Sequence, residues 1–219
     1  MCGIFKSNYE VIMDKIIKPK ISKEIVTSNL NEVLEDEVSS AYFESTKLLN
    51  RIKNITFNGC VFKNVDFNKD LFTNVDLVDC VFDSCDLSGI DIDSKLFLRC
   101  EFINCSLVGA NLTNVIIKSV AFKHSNLEYV NVSSECKNVF FDDCKLKNAR
   151  FFECEFVNVK FDSCDFSNSE IYNTNLNNVD LSSSKLEGIN TDLKSIKGAI
   201  VDLSGMIELS RIFGIKLKF

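Results

Sequence analysis

This chain of 219 residues reads as an all-β solenoid closed by a short C-terminal α-helix. A strict five-residue period in the large apolar residues carries that reading, together with a matching period of small residues and a near absence of ordinary turn-formers. One proline and eight glycines accompany 19 phenylalanines, so the chain must turn by repetition rather than through Pro- and Gly-rich loops. Repeats are sought first because a missed period misassigns the whole fold. Phe57, Phe62, Phe67, Phe72, Leu77, Phe82, Leu87, Ile92, Phe97, Phe102, Leu107, Leu112, Ile117, Phe122, Leu127 and Val132 stand five apart. Phe141, Leu146, Phe151, Phe156, Phe161, Phe166, Ile171, Leu176, Leu181 and Leu186 resume the series. All 26 positions are Phe, Leu, Ile or Val and half are Phe, a run that chance does not produce. Small residues fill 22 of the 26 places two residues earlier, Cys60, Val75, Cys80, Cys85, Cys100, Cys105 and Ala110 among them. In extended chain, residues two apart point to the same side, so each unit sends one large and one small side chain inward. The other three places are mostly Asp, Asn, Ser, Lys and Glu and face water. A period of five fits neither a helix nor a plain alternating strand, so the chain turns a corner once per unit.

Composition narrows the function. With 46% hydrophobic residues the chain can bury the core of one domain. The start MCGIFKSNYEVIMDK has no apolar run of signal-peptide length and no stretch is long enough to span a membrane, so a soluble cytoplasmic protein is expected. Ten cysteines make up less than 5% of the chain, far below a disulfide-stapled secreted domain, and in a reducing cytosol they are thiols. Their spacing is the repeat's own, no C-x-x-C pair occurs and His124 is the single histidine, so they read as core packing, with no metal and no cofactor expected. The start MCGIF resembles glutamine amidotransferases with an N-terminal cysteine nucleophile over only four or five residues. Those enzymes need nearly this entire length behind the cysteine, and the repeat occupies it. Acidic side chains on solvent-facing positions imply no cleft for acid–base work, so no enzyme is expected. Net charge is zero over residues 1–54, −8 over 55–190 and +2 over 191–219. An acidic middle argues against direct nucleic-acid binding and for a basic partner surface.

Stretches such as VFDSCDLSG, CEFINCSLVGANL, FFECEFVNVKFDSCDFSNSE and NTNLNNVDLSSSKLEG resemble the pentapeptide-repeat family, over roughly residues 55–190 and reaching back to Val38. The resemblance implies a right-handed quadrilateral β-helix with four units to a coil. Residues twenty apart then stack at about 4.8 Å. Phe62, Phe82, Phe102 and Phe122 fall in one column, and counting Cys136 as the centre of a four-residue unit continues it through Phe141 and Phe161. Cys60, Cys80 and Cys100 form a parallel column, with Cys85 and Cys105 on the next face. About seven coils, roughly 33 Å in length, are expected. On this wrap Asp76, Asp79, Asp83, Asp86, Asp91 and Asp93 spread over all four faces; they are either a solvated surface or a partner-binding patch.

Two breaks interrupt the pattern. Asp70 and Lys95 occupy inward small places, where charge is costly unless paired. Either they pair across adjoining faces one coil apart, or the coil bulges and releases them. The unit between Val132 and Phe141 is one residue short, which reads as a tightened corner.

The chain divides into an N-terminal segment, residues 1–37, the β-helix, 38–190, and a C-terminal cap with a dimerisation tail, 191–219. Val26, Leu30, Val33, Leu34 and Glu37 are spaced as in a short amphipathic helix, while Val38, Phe43 and Leu48 fit a degenerate first coil. Near the C-terminus, DLSGMIELSRIFG offers Asp202 or Ser204 as helix cap, and Gly214 as stop. The tail IKLKF alternates like an edge strand. Its apolar residues, Leu203, Met206, Ile207, Leu209, Ile212, Phe213, Ile215, Leu217 and Phe219, either cover the last coil or make a two-fold dimer contact.

This C-terminal pattern, with LEDEVSS before the first coil, resembles the Qnr-type subgroup. The resemblance implies a homodimeric acidic rod that mimics duplex DNA, binds type II topoisomerase (DNA gyrase and topoisomerase IV) and protects it against quinolones. The extended loops of several members have no counterpart here. Duplex DNA carries roughly 20 charges over 33 Å, whereas the repeat carries −8. Mimicry therefore rests on local arrangement and rod shape rather than bulk charge; a continuous acidic groove along the dimer favours it, while scattered charge balanced by Lys145, Lys147, Arg150 and Lys160 favours the alternative, a protein-interaction adaptor with no topoisomerase role.

Overall fold

The corners explain how a chain so poor in glycine and proline turns so often. In the computed structural model, which describes residues 16–216 and 218 apart from 35, 93 and 94, 22 non-glycine residues take positive φ, and 11 of them are asparagine. Asn tolerates the left-handed region because its short amide satisfies nearby backbone groups. Between corners run parallel strands of one 15-stranded sheet, wound as about eight turns. The register is twenty residues, four units per coil, as in Phe62↔Phe82 and Phe82↔Phe102. It drops to nineteen at Phe122↔Phe141, with the slip between Thr113 and Ile116 opposite Ser133–Glu135. Cys136 thus pairs with Ile117 and Phe156, as the short-unit reading expects.

Every central residue of the repeat is buried except Phe156, which is half-buried. It stacks above small Cys136 and lines a notch shared with Lys194 and Lys197. The phenylalanine ladder is continuous. Ring centroids lie 4.6 Å apart for Phe62–Phe82, 4.7 Å for Phe82–Phe102, 5.0 Å for Phe102–Phe122, 4.9 Å for Phe122–Phe141 and 4.8 Å for Phe141–Phe161, with planes within 13°. Phe43 adds a seventh ring at 5.0 Å from Phe62. The nine described cysteines are buried free thiols. They fill space and also donate: Cys80 Sγ to Phe57 O at 3.3 Å, Cys100 Sγ to Leu77 O at 3.4 Å and Cys85 Sγ to Phe62 O at 3.4 Å. Ser125 Oγ makes the equivalent bond to Phe102 O. Burial pushes the Cys80, Cys136 and Cys154 thiols up from their ordinary pKa, which keeps them protonated and unreactive.

Four expectations need correction. Asp70 is exposed and Lys95 half-exposed, so neither is a buried charge and no buried pair forms. The helix anticipated over residues 24–38 is only a 3-10 turn, Leu30–Glu32, flanked by strands Val26–Thr27 and Glu37–Ser39. Leu30, 1% exposed, plugs the end of the core, and Asn31 ties the turn to Leu49 N–H at 2.6 Å. Val26 already pairs with Ala41, and Asp180 with Ile200 at the far end, which is why there are about eight turns instead of seven. The tail is not strand at Ile215, Lys216 or Lys218; Leu217 and Phe219 lie outside the described residues, as does Cys2.

At the C-terminus Asp192 accepts Ser195 N–H at 2.8 Å and caps the short helix Leu193–Ile196. Asp202, one of the two candidate caps, accepts Gly205 N–H at 2.7 Å and starts the helix Leu203–Ile212. Gly205 permits close packing, since a Cβ there would lie 2.9 Å from Leu186 Cδ1. Gly214, at φ +67°, ends the segment. No helix among the described residues is long and apolar enough to cross a membrane.

Candidate interaction surfaces

The acidic residues singled out in the sequence are not brought together. Asp76, Asp83, Asp86 and Asp91 lie in four different strand ladders, each holding a local hydrogen bond: Leu96 N–H to Asp76, Ser84 Oγ–H to Asp83, Ser88 N–H to Asp86 and Asn111 Nδ2–H to Asp91, all at 2.9 Å. Asp93 lies outside the described residues. Asp79 is a structural clamp. Only 5% exposed, it sits at a corner, accepts two bonds from Arg99 at 2.6 Å and one from Lys20 N–H at 3.0 Å, and so ties the incoming N-terminal segment to two successive coils. Burial raises its pKa, but the Arg99 guanidinium and the Lys20 amide outweigh burial and hold the carboxyl below its ordinary value.

Basic side chains are interspersed among the acidic ones along the coils. On the face of the phenylalanine ladder one outward column runs Glu44, Lys63, Asp83, Ile103, Lys123, Asp142, Asp162. Ion pairs cross between coils at Lys63–Glu44, Lys123–Glu101, Lys118–Glu135, Lys147–Asp165 and Arg150–Glu170, at 3.1 to 3.5 Å. Exposed pairs add little stability; their consequence is that carboxylates on these columns are partly neutralised by a cation on the neighbouring coil. Of Lys145, Lys147, Arg150 and Lys160, the last three each sit against a carboxylate. Among the described residues no three His, Cys, Asp or Glu side chains are placed to hold a metal ion.

The apolar C-terminal group divides. Leu209 and Ile212 pack on the core, while Leu203, Met206, Phe213 and Ile215 are exposed, Leu203 by 75% and Met206 by 61%; Ile207 is intermediate. A second surface, which the sequence reading missed, is a groove of about 540 Å³ whose lining includes Asn131, Ser133, Arg150, Phe152, Glu170 and Tyr172. Its signal was in the sequence: FFE and IYN put an aromatic where the repeat usually has a polar residue.

A parallel β-solenoid with four five-residue sides per coil defines a class of repeat protein. Residues 50–131 match the family model of a pentapeptide repeat region, and 135–168, 144–182 and 154–190 match that of pentapeptide repeats. The chain belongs to the pentapeptide-repeat family. No curated protein matches it in sequence. Among solved structures it is similar to a trypsin-treated variant of QnrB1, a plasmid-mediated fluoroquinolone resistance protein, at 19% identity and TM-score 0.41, covering 88% of this chain and 96% of that one. It is also similar to HetL of the cyanobacterium Nostoc sp. strain PCC 7120, involved in heterocyst differentiation regulation, at 16% identity and TM-score 0.41, covering 75% of this chain and 89% of that one.

Proposed function

We propose that the protein is a non-enzymatic docking solenoid of the cytoplasm, an adaptor whose outer faces bind another protein. The observation that carries this reading is the interspersion of basic side chains among the acidic ones along the rod, with carboxylates paired between coils. Such a surface offers local complementarity for a protein partner and lacks the unbroken charge of duplex DNA. Its test is affinity capture from the host lysate with and without excess duplex DNA. An adaptor retains its partner in the presence of DNA; loss of every specific partner to DNA competition refutes the reading.

A second reading, regulation of DNA gyrase or topoisomerase IV by DNA mimicry with protection against quinolones, draws support from the C-terminal helix. Exposed Leu203, Met206 and Phe213 suit a homodimer that joins two rods end to end. In this reading the scattered Asp76, Asp83, Asp86 and Asp91 act through local placement rather than bulk charge.

A further inference from the structure

The face whose inward residues are Val132, Phe151 and Ile171 carries the outward groove described above. One column of register partners there runs Asn111, Asn131, Arg150, Glu170. Beside it Thr113 pairs with Ser133, and Phe152 with Tyr172 in the later coils. The step from small hydroxyl side chains to two aromatic rings makes the groove, floored by buried Val132 and Phe151. The one-residue slip of the repeat lies at its edge, at Ser133–Glu135. Phe152, 48% exposed, and Tyr172 bring aromatic rings to an outward place that is mostly polar along the solenoid and otherwise takes only aliphatic residues such as Ile103 and Val157, so the apolar surface of Phe152 is unspent on the core. Rule-breaking positions collect at functional sites, and here a register break and a misplaced aromatic pair coincide.

Charge indicates the occupant. Glu153 is exposed next to Phe152, and Glu170, in the same strand as Tyr172, lines the groove together with Arg150, which it meets at 3.4 Å. Aromatic faces edged by carboxylates favour a cationic side chain through the ring quadrupole and charge-assisted hydrogen bonds, and the whole chain is acidic, at −6. We propose that this groove docks a basic peptide segment of the partner protein, with an Arg or Lys side chain lying across Phe152 and Tyr172 and paired with Glu170. The inference rests on the docking reading above and names the site and the partner chemistry.

Fluorescein-labelled hexa-arginine, hexaglutamate and neutral cellohexaose, titrated against the full-length protein at 0.15 M salt, test it. Saturable binding of hexa-arginine alone is expected, weakened about tenfold by Glu170→Gln and at least tenfold by Phe152→Ala with Tyr172→Ser, and unchanged by Asp83→Asn on another face, each tenfold step being about 1.4 kcal/mol. Because the altered residues point outward, melting curves should overlay and exclude misfolding. Absent binding, equal loss in Asp83→Asn, or groove-dependent binding of cellohexaose overturns the proposal. If the double variant still captures the partner from lysate, the site is wrong and the docking reading survives; if hexa-arginine binds in the groove but DNA strips every partner, the docking reading fails alone.

Discussion

Phe102 is the most demanding test of the ladder. The ring is completely buried, stacked on Phe82 at 4.7 Å and 8° and on Phe122 at 5.0 Å and 12°, with Phe97 at 5.7 Å. Phe102→Ala removes a side chain whose transfer from water is worth roughly 2–3 kcal/mol. It also leaves a cavity that sheet hydrogen bonds above and below prevent from collapsing, and such losses reach about 3–5 kcal/mol in all. Two stacked partners are lost as well, each pair worth about 0.5–1.5 kcal/mol beyond area burial, which places the expected loss near the top of that range. Urea unfolding followed by far-UV circular dichroism measures it. A loss below about 1 kcal/mol would show that the ladder does not hold the rod together and would refute the column assignment.

The remaining predictions address the ends and the clamp. Phe43→Ala, with one stacked neighbour in the ladder instead of two, should cost about 1 kcal/mol less than Phe102→Ala; an equal or larger loss speaks against a simple stack. Asp79→Asn should destabilise by about 1–3 kcal/mol at neutral pH, because Arg99 loses its charged partner. Since the folded pKa of Asp79 is depressed, its contribution is present above the unfolded carboxylate value near 3.9 and is lost as pH falls through the lower folded value. The difference between wild type and Asp79→Asn should therefore shrink at pH 2; a difference independent of pH excludes the ionised clamp. For the C-terminal helix, sedimentation at tens of micromolar should show a dimer that Met206→Asp or Phe213→Asp converts to monomer, and a monomeric wild type ends the dimer proposal.

Where the repeat is strict the five-residue period sets burial, and with the four units per coil that the family resemblance implies it also sets register: the Phe62 to Phe161 column and the Cys136 unit follow from the two together. At Phe43 the period slips by one residue before Phe57, giving a nineteen-residue register to Phe62, so the first coil competed with a helical reading of Val26, Leu30 and Val33. The 3-10 turn there depends on Asn31 reaching Leu49 and Lys47, contacts 18 and 16 residues away that no local pattern announces. Asp79 looked like one acid among six. Its pairing with Arg99 lies twenty residues away, one coil on, and its bond to Lys20 comes from outside the repeat. The groove at Phe152 was hidden for the opposite reason: attention to inward positions passes over an outward aromatic that obeys the spacing but not the polarity.

The most direct test of the adaptor claim is a gyrase supercoiling assay, with enzyme from the same organism, with and without ciprofloxacin, as purified protein is raised to a large molar excess. An outer surface whose carboxylates are paired with interspersed basic side chains predicts neither inhibition of supercoiling nor rescue from the drug. Dose-dependent rescue at stoichiometric protein would contradict the account and establish the rod as a mimic of DNA despite its paired charges.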